Sequence, residues 1–316
     1  MAEETRPPKV MESFPLFTFS QANQAGQSFG LSGSLKKLPP PPCVEVAFSE
    51  PDSGFVSSLS DPIVIGDGHH GLTLFKGRVN TSDVFGVSNS DLVPGTYEGG
   101  LKLWEGSIDL VKSLRNEIDE GRLNVNGKRV LELGCGHGLP GIFAGLQGAA
   151  SIHFQDFNVE VLRFLTVPNV YRNLIYTSTQ SHPPKDNVPA SSNVRFFAGD
   201  WSDVHQLLLP RFNDCQNEVA SVTECDTSDA YDIILMAETV YSLSSLHSLY
   251  ELTKKCLQYP QGVVYMAGKK HYFGVGGGTR HFVRLVENDG KMRALLLAEV
   301  ADGSSNIREV WKLSYK

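Results

Sequence analysis

A glycine-rich turn, Gly134-Cys135-Gly136-His137-Gly138, follows directly on the apolar run Val130-Leu131-Glu132-Leu133. A strand that ends in Gly-x-Gly and opens a helix presents backbone N–H groups at the carboxyl edge of a sheet, where doubly wound folds bind ligands. Glycine lets the backbone approach the ligand with no Cβ in the way. Three carboxylates accompany the turn. Glu132 lies inside the strand, two residues before Gly134. A buried carboxylate is costly unless paired, and the cationic amino-acid end of S-adenosylmethionine is one group it could serve, through water. Asp156 closes the next apolar run and can accept hydrogen bonds from both hydroxyls of a ribose. Dinucleotide enzymes place an acid similarly, so Asp156 indicates a nucleoside without choosing the cofactor. Asp200, in Gly199-Asp200-Trp201, can accept an adenine amino hydrogen. Trp201 offers either a flat surface for the ring or ordinary core packing. On these residues alone the readings are a methyl-transfer enzyme, a nicotinamide oxidoreductase, or a cofactor-binding module without turnover.

Alternating elements must position these groups. The spacing of Ile108, Val111, Leu114 and Ile118 predicts a helix over 107–121. Strands are expected at 128–133, 151–155, 194–199, 231–237 and 262–267. Helices are expected at 139–146, 159–174 (bent or broken by Pro168), 242–257 and 279–288. Two further strands, 292–300 and 307–315, have only a turn between them and must pair antiparallel. Alternating β and α elements imply a mostly parallel sheet with helices on both faces. The expectation is an α/β, Rossmann-like, seven-stranded methyltransferase sheet with a C-terminal antiparallel hairpin. Polar insertions at about 175–193 and 210–229 read as loops.

Residues 1–90 read as an N-terminal extension and 91–316 as the S-adenosylmethionine-dependent domain. The first 43 residues, rich in Ser, Gln, Gly and Pro and ending in Pro39–Pro42, read as weakly ordered. Residues 62–79 can form a hairpin around Gly66-Asp67-Gly68. The chain of 316 residues, 41% hydrophobic and 20% charged, has a globular composition. Its net charge of −7 disfavours sequence-independent nucleic-acid binding. Lys269-Lys270-His271 and Arg280-His281 with Arg284 are local basic groups, equally readable as a solvated rim. Five cysteines with no Cys-x-x-Cys argue against a disulfide framework and a structural zinc site. No apolar run approaches the ~20 residues of a membrane span, and the N-terminus lacks the pattern of a secretory signal. The expectation is a cytoplasmic and nuclear monomer with no metal and no membrane attachment.

Several segments in order, PGTYEGGLKLWE at 94–105, LELGCGHGLPGI at 131–142, IHFQDFN at 152–158, PNV at 168–170, GDW at 199–201, AETVY at 237–241 and HYFGVGGG at 271–278, resemble those of the protein-histidine N-methyltransferases of the METTL eighteen / Hpm-one type. The resemblance covers about residues 91–316. It implies S-adenosyl-L-methionine as cofactor, S-adenosyl-L-homocysteine as product, and as substrate a histidine of a large-subunit ribosomal protein, the one numbered three. It implies cofactor contacts from Leu103, Trp104, Glu105, Gly106 and Ser107 at the methionine end, and from Gly134 and Gly136 on the turn. Gln155, Asp156 and Phe157 would lie at the ribose, Gly199, Asp200 and Trp201 at adenine, and Ala237 or Glu238 at the fourth strand. The family carries Ser where this chain has Ala237, so one hydroxyl contact is missing there.

Methyl transfer from a sulfonium mainly requires alignment and exclusion of water. A neutral imidazole is already a competent nucleophile, since free histidine has a pKa of ~6.5. A carboxylate that orients the ring through its other N–H suffices. Glu238 is the candidate, with Tyr241 three residues on. The competing reading for Glu238 is a carboxylate held at a helix N-terminus. Tyr272 and Phe273 are expected to wall the substrate channel, and Lys269 and His271 to touch the substrate. Gly276-Gly277-Gly278 reads equally as a mobile flap or a tight turn. His137 and His153 read as structural. A lysine methyltransferase of the same fold remains an alternative.

Overall fold

The alternating segments build one open sheet, with the glycine turn and the AETVY segment at neighbouring strand ends. The computed structural model describes residues 40–48, 60–66, 71–87, 91–176, 189, 193–209, 229–301, 303 and 306–316. The expectations for residues 1–39 and for most of the two polar insertions lie outside them.

The sheet has eight strands: β1 (Val44–Val46), β4 (Arg129–Leu133), β5 (Ser151–Asp156), β6 (Val194–Ala198), β7 (Ile233–Ala237), β8 (Val263–Lys269), β9 (Met292–Val300) and β10 (Arg308–Tyr315). Its order is β1-β6-β5-β4-β7-β8-β10-β9. Strands β4 to β8 are parallel, and β10 is antiparallel to both β8 and β9. The expectation of seven strands is corrected to eight. The apolar piece Val44–Val46 pairs antiparallel with β6 and covers what would otherwise be an open edge with unpaired backbone groups. A three-residue strand is too short to announce itself by periodicity.

The chain runs from β4 through β5 to β6 on one side, then returns to place β7 on the other side of β4. Ligands bind at such a reversal in open α/β sheets, beyond the carboxyl ends of the strands. Along β4, Val130 packs with Leu110, Ile142 and Phe143 on one face. Leu131 and Leu133 pack with Leu249, Met266 and Phe282 on the other. Burial on both faces explains why these strands read as almost unbroken apolar runs.

Helix α2 (Glu105–Asp119) follows α1 (Thr81–Phe85) and lies on the first face, with Leu110, Val111 and Leu114 buried. It is bolted to β10 by the buried pair Arg308–Asp109 (2.6 Å) and by Lys312–Glu117 (3.2 Å). Helix α3 (Leu139–Leu146) has the predicted bounds.

The 159–174 segment neither breaks nor runs as a plain helix. Short α4 (Val159–Val161) and α5 (Val167–Val170) alternate with π-turns at Leu162–Thr166 and Tyr171–Tyr176. The Val167 N–H reaches back five residues to the Leu162 carbonyl. The wider turn absorbs Pro168, which lacks an N–H and would clash with the carbonyl four residues back in a regular helix. Beyond it lie α6 (His205–Leu208), α7 (Leu246–Cys256) and α8 (Thr279–Asp289).

Strands β2 (Ser60–Ile65) and β3 (Leu72–Gly77) form a separate antiparallel ribbon; residues 67–70 between them lie outside the described residues. The ribbon is gripped by two asparagines one helical turn apart. Asn173 accepts from Phe75 N (2.8 Å) and donates to Phe75 O (2.7 Å). Asn169 accepts from Gly77 N (2.6 Å) and donates to His137 O in the glycine turn (2.9 Å). Asn173→Ala strands two backbone groups of β3 and is expected to lower stability by about 1–3 kcal/mol. Urea unfolding measures the loss, and proteolysis near residue 75 should speed up.

Candidate functional site

The turn after β4 is held by the ends of β5 and β6. Gln155, fully buried, accepts from Gly134 N (3.2 Å) and Trp201 Nε1 (2.9 Å) and donates to Gly199 O (2.9 Å). One amide thus ties together the glycine turn, the Gly199 corner and the Trp201 ring. The Gln155 side chain acts as scaffold, committed to the protein. Asp156 accepts from Gly136 N (2.9 Å) and Asn158 N (3.1 Å), and the Phe157 N–H also faces it. Burial nevertheless pushes its pKa up to about 6.

The 94–105 segment closes over the turn. Asn158 accepts from Glu98 N (3.1 Å) and donates to Thr96 O (2.8 Å). A Cβ on Gly136, whose φ is +48°, would stand 2.9 Å from the Gly100 carbonyl; one on Gly134 would stand 2.7 Å from the Thr239 methyl. Both positions require glycine, by conformation and by close approach.

Glu132 accepts from Gly141 N (2.7 Å) in the first turn of α3, and its other oxygen, Oε1, is buried without a partner. Burial holds its pKa well above the carboxylate range. Thr239 Oγ1 is likewise buried and unpartnered. Two unsatisfied polar atoms flanking a glycine cradle fit a ligand with polar ends, since such groups are costly to leave unpaired. Asp200 Oδ1 caps its own turn, accepting from Ser202 N (2.9 Å) and Ser202 Oγ (2.7 Å). Trp201 is half-buried beside Gly134.

Glu238 stands at the end of β7 and is the one non-glycine residue with positive φ (+59°) among the described residues. Such a conformation costs about 1–2 kcal/mol and re-aims the side chain away from the strand direction. Its Oε1 accepts from Gly106 N (3.1 Å) in the first turn of α2, and its Oε2 from the Tyr272 hydroxyl. Burial raises its pKa; Tyr272, Lys269 and the Gly106 N–H pull the other way. Glu238 thus lies at a helix N-terminus, that of a segment distant in the chain. The Lys269 ammonium lies 5.3 Å from the centre of the Trp104 ring, and Trp104 Nε1 donates to Gly99 O (3.0 Å). Ser107 Oγ caps the Trp104 carbonyl (2.7 Å). Leu103 and Ala237 are half-buried and Glu105 is exposed.

Tyr241 is turned elsewhere: its hydroxyl donates to Glu98, whose other oxygen accepts from Gly95 N (2.6 Å). It fastens the 94–105 segment across the cleft. His271 and Phe273 (75% exposed) face solvent at the rim, whereas Tyr272 hydrogen-bonds Glu238 and the Lys269 charge acts on it. The turn itself lies at residues 273–275. Gly276–Gly278 run on from it as a paired segment, with Gly276 bridged to Ser242 and with Gly277 N and Gly278 N donating to Tyr241 O (2.9 Å) and Val240 O (2.8 Å), so neither the flap nor the tight-turn reading describes the three glycines. His137 and His153 are buried with their pKa pushed down to about 3 by desolvation, so both are neutral packing groups. Sequence reasoning passed over Thr239, Gly100, Glu98 and Asn158. Each lies inside a motif already singled out, but only folding brings them together.

The strand order, the antiparallel C-terminal pair and the glycine cradle are those of the S-adenosylmethionine-dependent methyltransferase fold. A family model described as lysine methyltransferase matches residues 94–180. The chain is 38% identical over 230 residues to a histidine protein methyltransferase 1 homolog of Dictyostelium discoideum, covering 73% of this chain and 62% of that one. It is 36% identical over 238 residues to the Rattus norvegicus homolog, covering 72% and 60%. The chain is thus similar to these histidine protein methyltransferase 1 homologues and spans about three fifths of their length. Among solved structures it is similar to magnesium protoporphyrin IX methyltransferase from Synechocystis with bound SAH (12% identity, TM-score 0.42, 66% of this chain and 83% of that one).

Proposed function

We propose that this protein is a protein-histidine N-methyltransferase that uses S-adenosyl-L-methionine and acts on a large-subunit ribosomal protein. The observation that carries the reading is Glu238: a buried carboxylate, fixed by two donors, beside the glycine cradle. The cofactor, when bound, supplies a methyl group on a sulfonium. Gly134, Gly136 and Thr239 would hold its amino-acid end with Glu132, Asp156 its ribose, and Asp200 and Trp201 its adenine. Glu238 accepts the N–H of the acceptor imidazole, which fixes the ring and leaves the lone pair of the other nitrogen free to attack. Trp104 and the 94–105 segment cover the cleft and exclude water. A ribosomal acceptor is consistent with a monomer working in cytoplasm and nucleus. No helix among the described residues is long and apolar enough to cross a membrane.

The description of the matching family model favours a second reading, lysine methylation. A labelled methyl donor supplied with ribosomal proteins, followed by mass spectrometry of the modified residue, decides between them. A mark on histidine is expected. A mark on lysine and none on histidine would sink the main reading.

Asp156 adds a pH signature. Its folded-state pKa of about 6 lies above the ordinary 3.8. Its contribution to the stability of the free protein is therefore present in full below the ordinary value and lost as pH rises through about 6. A ribose that donates to the ionised carboxylate has the opposite preference. S-adenosylhomocysteine is thus expected to bind about tenfold more weakly at pH 5 than at pH 7.5. Calorimetry tests this, and Asp156→Asn should flatten the dependence.

A further inference from the structure

We infer that Tyr272 is a positioning residue: its hydroxyl, with the turn that carries it, holds the Glu238 carboxylate ready to accept the acceptor's N–H. The inference rests on the histidine reading of the same site.

Three observations carry it. First, the Tyr272 oxygen accepts from Lys269 N (3.2 Å), so its own hydrogen is committed to Glu238 Oε2. Gly106 N takes Glu238 Oε1. Each carboxylate oxygen is thereby anchored once and keeps a lone pair for a further donor.

Second, the position of Tyr272 is set by a backbone frame. Tyr272 N donates to Gly277 O (3.0 Å) and Gly276 N to Tyr272 O (2.9 Å). Gly277 N and Gly278 N then donate to Tyr241 O and Val240 O, three and two residues beyond Glu238. Donor and acceptor are therefore held by one hydrogen-bonded unit.

Third, Glu238 is only 8% exposed, and a carboxylate so buried takes up a proton unless donors or cations oppose it. The groups facing it are Tyr272, Lys269, the Gly106 N–H and, with the opposite effect, Glu105. The Tyr272 hydroxyl donates directly to the carboxylate and so opposes that proton uptake. A protonated Glu238 would offer the imidazole a weaker acceptor.

The test is Tyr272→Phe in the full chain. Turnover should fall about tenfold while S-adenosylhomocysteine affinity stays within twofold. Losing the donor favours the protonated acid, so the acid limb of the pH–rate profile should move up by about one unit. Infrared difference spectra, with Glu238→Gln to assign the band, should reveal a protonated carboxyl in the variant where the parent has a carboxylate. A variant with an unmoved acid limb and no such band overturns the inference. Should Tyr272→Phe lose S-adenosylhomocysteine binding altogether, 3-fluorotyrosine at position 272 decides. Its more acidic hydroxyl should move the limb down, and an unmoved limb overturns the inference. If the parent protein methylates no histidine, the functional reading fails, and the infrared comparison still judges the link between Tyr272 and Glu238.

Discussion

Glu238→Gln is expected to lower kcat/KM for the protein substrate about 10²-fold while leaving S-adenosylhomocysteine affinity unchanged. The amide keeps the volume of the side chain, but its N–H₂ group faces either the Tyr272 hydroxyl or the Gly106 N–H, both of which donate to the carboxylate. The residue must reorient or lose a bond, and it no longer offers a charged acceptor. Losing one preorganised electrostatic contact costs about 10²–10³ in rate. Histidine chemistry survives at that level, because a neutral imidazole already carries its nucleophilic lone pair. A lysine must first lose a proton, so the same substitution in a lysine enzyme should fall toward the ~10⁴-fold end of acid–base effects. Steady-state kinetics on the purified acceptor, with calorimetry for the cofactor product, separate the two. A variant with full activity would remove Glu238 from the mechanism.

Gly136→Ala is expected to cut S-adenosylhomocysteine affinity by at least about tenfold in a protein that remains folded. Two costs combine. The φ of +48° disfavours any side chain, by about 1–2 kcal/mol. The new methyl also stands 2.9 Å from the Gly100 carbonyl, so the backbone of the 94–105 segment must give way. Moving it disturbs Asn158 and the Gly136 N–H bond to Asp156 together. Gly290→Ala is the control, since it shares a positive φ (+75°) but has nothing within 4 Å of the added methyl. It should lose some stability and no affinity. Equal affinities for the parent and Gly136→Ala would mean that the cradle does not hold the cofactor.

Much of this architecture was legible in the residues because local rules produce it. Apolar runs buried on both faces gave β4, β5, β7 and β8 within about two residues, and α3 exactly where its pattern lay. The terminal turn forced an antiparallel pair. Where prediction erred, the cause was long-range. Val44–Val46 becomes a strand because β6 presents an open edge to it, across about 150 residues of chain. Pro168 looked like a helix breaker, yet the preceding π-turn absorbs it, and Asn169 and Asn173 beyond it clamp a ribbon nearly 100 residues away.

By itself the sequence determined the doubly wound sheet, the glycine turn and the identity of the groups at its strand ends, because strand burial, turn conformation and the 2.0 and 3.6 periodicities are properties of short segments. The tertiary structure alone decided what those groups face. Gln155 read as a ribose contact and serves as a scaffold. Tyr241 read as a partner of Glu238 and fastens Glu98. The three glycines at 276–278 read equally as flap or turn, and pairing with Val240, Tyr241 and Ser242 makes them an extended segment that follows a turn at 273–275. Glu238 finds its donors in Gly106, 132 residues away, and in Tyr272. Hydrogen-bond partners depend on distance and angle across elements distant in the chain, and no spacing along the sequence encodes those.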